Sequence, residues 1–273
     1  MSAVARTLGV SRSNLIAPAG TSRRGRRPLP DEELRSELEA VIEGSPSYGY
    51  RRACAMVRRR YRERGQLLPN HKRIYRVMQA HQMLLQRCTG AIDERRHDGK
   101  IARDSSDERW CSDGFEISCE NGEHVRVAFS LDCCDREVIR WVATTAGING
   151  DHIRDLMLES VEQRGTQGQQ PQIEWLSDNG SVYTMQETRQ FAKLVGLRSC
   201  TTPVRSPQSN GMAEAFIKTL KRDYVAIQGA PDAASVLENL PKWFEHYNEI
   251  HPHKALQYQS PREFRRLKLS GTP

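Results

Sequence analysis

The chain has 273 residues, 37% hydrophobic and 27% charged, with a formal net charge of +7; this admits one large domain or two smaller ones with a modest core. No apolar run approaches the roughly 18 residues of a membrane span, and the N-terminus lacks the apolar stretch of a secretory signal, which leaves a cytoplasmic protein as the expectation. The charge is uneven: residues 1–100 hold 21 Lys+Arg against 10 Asp+Glu, and the remainder holds 20 against 24, the pattern of a basic, nucleic-acid-binding module joined to a near-neutral one.

Residues 1–16 contain VARTLGVSRSNLI, whose apolar spacing around Gly9 reads as the tail of a helix-turn-helix. Residues 17–30, rich in Pro, Gly, Ser and Arg, read as a basic linker, so 1–30 is a partial motif plus linker. Residues 31–86 read as a small helical domain. PDEELRSELEAVIE opens with Pro30 and acids, places Leu34, Leu38 and Val41 on one face, and stops at Gly44 and Pro46. YGYRRACAMVRRRYRERG follows, stopped by Gly65. Asn70 then caps a third helix with an apolar stripe of Ile74, Val77, Met78 and Leu85. Arg51 and Arg52 on the second helix, and Lys72, Arg73 and Arg76 on the third, are the candidate DNA contacts of a helix-turn-helix-type domain. A plain helical bundle with snorkelling arginines fits the same pattern. Residues 87–104 carry charge without apolar periodicity and read as a second linker.

From 105 the periodicity changes from helical to alternating. RWCSDGFEISC reads as a strand, Asn121-Gly122 as a hairpin turn, HVRVAFSLDCC as a second strand and DREVIRWVATT as a third. GDHIRDLMLESVEQRG is helical, IEWLSDNG a short strand, ETRQFAKLVG a helix and LRSCTT a strand. Helices follow at 210–224 and about 232–250. Three hairpin strands followed by alternating helices and strands predict a mixed sheet with helices on its faces, over 105–265, with 266–273 as a tail.

Three acids stand beside apolar sequence in this second part. Period-two counting puts Asp113 on the face of Cys111, Phe115 and Ile117, where an unpaired carboxylate is costly. Asp178 ends its strand just before a turn, a common place for catalytic groups in open α/β sheets, although SDNG is also ordinary Asx-turn chemistry. Glu214 follows after 35 intervening residues, on a helix that Ser209 or Asn210 can cap. It forms a polar stripe with Lys218 and Lys221. Carboxylates gathered at a core edge need neutralising, and divalent cations with oxygen ligands do this. Asp132 in LDCCDRE suits a turn, and Glu116 points away from Asp113 in a regular strand. The seven cysteines show no CxxC spacing and read as reduced core thiols.

The segments WCSD ending at Asp113, LSDNG around Asp178, and SPQSNGMAE ending at Glu214 resemble the DDE transposases and retroviral-type integrases. Over residues 33–265 the chain resembles the OrfB-type transposase of bacterial two-reading-frame insertion sequences. There YGYRRACAMVRRR with KRIYRVM matches the helix-turn-helix segment, and YNEIHPHKALQYQSPREF the tail of the core. The resemblance implies a ribonuclease-H-like integrase core. Asp113, Asp178 and Glu214 would bind two Mg²⁺ or Mn²⁺ ions, one activating a water or 3′-hydroxyl and one stabilising the leaving oxygen. Lys218 and Lys221 would contact terminal DNA of the element, and Asn179, Gly180, Ser209, Asn210 and Gly211 would shape the loops around the scissile phosphate. It also implies bacterial cytosol, assembly as a homo-oligomer on DNA, and an upstream-frame OrfA-type partner, since VARTLGVSRSNLI matches only the end of that partner's motif and no heptad repeat is present. A metal-dependent nuclease that uses water alone, and a DNA-binding regulator with an inactive core, are the competing readings.

Overall fold

The alternating segments pair into a five-stranded sheet. The computed structural model describes residues 2–7, 9, 30–86, 102–168, 171–202 and 210–271; the linker at 17–29, most of 87–104 and Ser209 lie outside them. β1 (Arg109–Ser118), β2 (His124–Asp132) and β3 (Val138–Thr144) form an antiparallel meander. The turn between β1 and β2 works as its Asn-Gly pair requires: Gly122 takes φ +87°, open to a residue without a Cβ, and the Asn121 side chain accepts from the Glu123 N–H. β4 (Ile173–Ser177) then lies parallel to β1, and β5 (Leu197–Thr201) parallel to β4. β1 is therefore the central strand.

Alternation sends neighbouring β1 residues to two separate cores. Cys111, Ile117, Val127 and Phe129 pack with Met212, Phe216 and Leu220 of α7 (Gly211–Leu220) and with Trp243, Phe244 and Tyr247 of α8 (Ala233–Glu249). Trp110, Ala128 and Ile139 pack on the other face with Ile153, Leu156 and Met157 of α5 (Gly150–Arg164) and Ala192 of α6 (Gln186–Leu194). Each large side chain so buried contributes about 1.5–3 kcal/mol. A sheet with helices on both faces is the predicted mixed α/β layer arrangement.

Ahead of the sheet, after a short α1 (Ser2–Thr7), stand α2 (Glu32–Gly44), α3 (Tyr50–Glu63) and α4 (His71–Ala80). They share their own core of Leu34, Leu38, Val57, Tyr61, Ile74 and Met78. Asn70 caps α4 as its position predicts, accepting from the Lys72 N–H at 2.9 Å. This helical unit docks on the sheet domain through buried and part-buried polar contacts. Arg52 pairs with Asp223 at 3.0 Å, Tyr48 shares a 3.0 Å hydrogen bond with His251 Nδ1, and Arg59 pairs with Glu263 at 2.5 Å. Burial holds His251 and His253 neutral, His253 with its pKa pushed down to about 3.

Two elements differ from the periodicity-based expectation. The helix expected over 210–224 does not continue as an α-helix: Lys221–Val225 is a π turn. A further helix, α9 (Pro261–Leu269), crosses the boundary expected at 265, opened by a Ser260–Glu263 capping box with Pro261 in its first turn.

Candidate active site

The two parallel strands bring the first two carboxylates side by side. β1 and β4 pair up to Cys111 opposite Leu176. Asp113 and Asp178 each lie two residues beyond that pair, at the carboxyl end of β4 where open α/β sheets carry their chemistry. Asp113 is half-buried and accepts a hydrogen bond from its neighbour's Gly114 N–H at 2.8 Å. Its pKa is nevertheless pushed up to about 6. Burial is the main cause, and the charges of Asp178 and Glu214 add to it against the Gly114 hydrogen bond. Both partners therefore act electrostatically on Asp113.

The Asp178 loop is built around its carboxylate. Gly180 N–H donates to Asp178 Oδ1 at 2.9 Å, and a Cβ on Gly180 would stand 2.9 Å from that same oxygen. Close approach therefore favours glycine here, since a Cβ would oblige the Asp178 carboxylate to shift, whereas the φ of −57° suits any residue. Asn179 reaches across to β5, donating from Nδ2 to the Thr202 carbonyl at 3.0 Å, while Thr202 N–H donates to the Ser177 carbonyl. These bonds tie the two sides of the loop together.

Glu214 arrives on α7, whose buried face of Met212, Ala213, Phe216 and Leu220 lies on the sheet. Asn210 does not cap α7 with its side chain, as had been expected of it. It donates from Nδ2 to the Ser112 carbonyl at 3.2 Å, anchoring the start of α7 to the residue before Asp113. Gly211 is the first residue of α7. Lys218 Nζ lies 3.3 Å from Glu214 Oε2, and Lys221 Nζ sits 5.9 Å from the centre of the Phe115 ring, two residues from Asp113. Both lysines stand on the Asp113 face of the sheet.

Only oxygen donors line this site, and they suit a hard divalent cation. The side chains are not drawn into a cage, however: among the described residues no three His, Cys, Asp or Glu side chains gather closely enough to hold a metal ion. Glu214 holds the Lys218 ammonium instead, a cation already standing at the carboxylates.

The other acids serve the fold. Asp132 accepts from the Asp107, Cys134 and Asp135 N–H groups and shapes its turn, as its sequence suggested. Glu116 points away and pairs with Arg126 and His124. Sequence reasoning missed the buried Tyr183, whose hydroxyl lies 3.0 Å from Ser112 Oγ behind Asp113, because the contact joins residues far apart in the chain.

On the helical unit the five candidate cations divide. Arg51 and Lys72 are exposed. Arg73 and Arg76 both pair with Asp31, at 2.7 and 2.8 Å, and hold its carboxyl below the usual range. Arg52 is spent on Asp223.

The chain matches family models described as "Integrase core domain" over residues 103–207 and 196–261, and one described as "HTH-like domain" over 30–89. Transposase InsD for insertion element IS2A/D/F/H/I/K of Escherichia coli is 46% identical to it, over 98% of this chain and 91% of the relative. The chain belongs to the insertion-sequence transposases with an integrase core. A second relative, transposase InsD for insertion element IS2-9 of Escherichia coli (strain K12), is also 46% identical, over 98% of this chain and 90% of its own length. A solved retroviral assembly, the simian T-cell lymphotropic virus intasome in complex with PP2A regulatory subunit B56 gamma, aligns at 13% identity and a TM-score of 0.49, covering 84% of this chain and 73% of that one. As a member of this family the protein is a transposase and a polynucleotidyl transferase. Its sheet domain is the ribonuclease-H-like integrase core, preceded by the helix-turn-helix-like unit. Among the described residues no helix is long and apolar enough to cross a membrane.

Proposed function

We propose that Asp113, Asp178 and Glu214 are the catalytic triad of this transposase, binding two Mg²⁺ or Mn²⁺ ions to cleave DNA at the element ends and join it to a target. The observation that supports the reading is the placement of Asp113 and Asp178, each two residues beyond the Cys111–Leu176 pair of adjacent parallel strands; burial raises the Asp113 pKa first, and the charges of Asp178 and Glu214 add to it. The third acid, Glu214, is carried by α7 against the same face of the sheet as Asp113, where a solitary carboxylate would be costly. When bound, the ions would activate the attacking hydroxyl and neutralise the leaving oxygen of an in-line displacement.

The chain's own residues supply position. Gly180 holds the Asp178 carboxylate, Asn179 ties its loop to the residue after β5, and Asn210 anchors the start of α7 to Ser112, the residue before Asp113. Gly211, the first residue of α7, would shape the loop around the scissile phosphate, the role that the family resemblance also gives Ser209. Lys218, which pairs with Glu214 here, and Lys221, beside Phe115, would supply the ammonium groups that hold phosphate oxygens. Arg51 and Lys72 contact DNA outside the site. Arg52, Arg73 and Arg76 would do so only by leaving the carboxylates they now hold. The protein works in the bacterial cytosol, as a homo-oligomer on DNA, with an upstream-frame OrfA-type partner.

The test is strand transfer with element-end DNA and Mn²⁺, with and without the upstream partner. Asp178→Asn should abolish cleavage and joining and leave DNA binding intact, and chelation of the metal should do the same to the wild type. Wild-type cleavage by Asp178→Asn would refute the triad; hydrolysis without joined product would leave a nuclease.

A further inference from the structure

A cleft of about 680 Å³ opens between α3 and the segment linking α8 to α9, far along the chain from the carboxylates. Its walls carry Arg51, Arg58 and Arg62 from α3, and Lys254 from the linking segment. The one acid in its lining, Glu263, is already matched by Arg59 at 2.5 Å and lies 4.0 Å from Arg62. Arg51, Arg58 and Lys254 have no acidic partner among the described residues. Arg58 is half-buried, and its Nε has no hydrogen-bond partner. A buried guanidinium N–H left unpaired is costly, and an anionic oxygen is its natural complement.

The opposite wall is held in an unusual shape. Gln257 and Tyr258, both lining the cleft, take consecutive left-handed conformations at φ +56° and +65°. Neither is glycine, so the loop is strained, and strain of this kind persists where surrounding contacts over-determine it. Those contacts are present: Tyr258 N–H donates to the His253 carbonyl at 2.7 Å, and His253 N–H donates to the Gln259 carbonyl at 3.0 Å. The closed loop holds Lys254 outward, across from the α3 arginines.

We infer that this cleft seats the phosphodiester backbone of duplex DNA, clamped between the helical unit and the end of the catalytic core. The inference rests on the protein being a DNA-acting transposase, and it adds Arg58, Arg62 and Lys254 to a contact set that sequence periodicity drew on different faces. Cations from two domains gripping one stretch of backbone fix where the duplex lies relative to the carboxylates without reading its sequence.

The test is a salt titration of the full chain, in an Asp178→Asn background without metal, on a fluorescent duplex of arbitrary sequence and roughly 30 base pairs. Log K falls against log[salt] with a slope of about 0.9 per phosphate neutralised. Replacing Arg51, Arg62 and Lys254 together by Gln should lower that slope by about 2–3, with an unchanged urea midpoint. Lys254→Arg should keep the slope that Lys254→Gln loses. Lys242→Gln, on the exposed surface of α8, should leave it unchanged. An unaltered slope in the triple variant, an equal fall from Lys242→Gln, or a fall with Lys254→Arg would each overturn the inference. Because metal and cleavage are absent from this titration, failure of the triad leaves its result standing. Conversely, active cleavage with an unaltered slope overturns the cleft alone.

Discussion

Replacing Asp113 by Asn should destroy catalysis and at the same time stabilise the metal-free protein at pH 7. The Asp113 carboxyl has its pKa raised from the ordinary 3.8 to about 6, burial first and the charges of Asp178 and Glu214 after it. A rise of that size corresponds to about 3 kcal/mol against the ionised form in the folded state. Asp113 retains some contact with water, so screening reduces the usable figure to about 1–2 kcal/mol. The folded protein holds this proton more tightly than the unfolded chain does, so between about pH 4 and 6 stability falls as pH rises. The full cost is in place above pH 6, and it is absent below about pH 4, where both states are protonated. Asn removes the charge and keeps an oxygen for the Gly114 N–H. Urea denaturation in the presence of a chelator, at pH 7 and at pH 4, measures the difference. The variant should exceed the wild type by about 1–2 kcal/mol at pH 7 and match it at pH 4. Equal stability at pH 7, or a gap that does not change with pH, would refute the electrostatic reasoning.

Gly180→Ala should lower strand cleavage by about 10- to 100-fold through a misplaced Asp178, since the new Cβ would meet Asp178 Oδ1 at 2.9 Å while the backbone there suits alanine. Cleavage rate and urea midpoint together check this; full activity would show that the carboxylate moves aside at no cost. Arg164→Gln should destabilise the core domain by about 3–5 kcal/mol. Its guanidinium is 1% exposed and lies 3.1–3.2 Å from Asp107, Asp135 and Glu137, which would be left facing one another. An unchanged urea midpoint would mean that these acids find other partners.

The sheet could be read from the chain because its signals are local. The alternation of Val125, Val127, Phe129 and Leu131 and the Asn121-Gly122 turn each lie within one hairpin, and the structure places them as their spacing requires. The elements that carry the three acids could be read as well: Asp113 lies within β1, Asp178 just beyond β4 and Glu214 on α7, as the local periodicity of each segment suggests. What could not be read is where charge goes across the fold. Arg73 and Arg76 look like the outer face of a helix until Asp31, more than forty residues earlier, is folded against them. Arg52 looks like one more surface cation until Asp223 arrives from 171 residues away. No periodicity encodes such pairs. Helix α9 is a different case: Ser260, Pro261 and Glu263 form a start signal that stands in the sequence, inside the segment that resembles the tail of the core.

The π turn at Lys221–Val225 sets the phase between two halves of one helix. Upstream, Phe216 and Leu220 fix the rotation of α7 against the sheet, and with it the direction of Glu214. Within the turn itself, Asp223 faces Arg52 of the helical unit, and the Tyr224 hydroxyl lies 3.0 Å from His246 Nδ1. A π turn accommodates more residues than an α turn, and deleting one residue would rotate everything after it by roughly 100°. A chain shortened by one residue there could aim its glutamate or dock its helical unit, but not both. The length of this turn is therefore part of the coupling between grip and chemistry, as much as any side chain in it.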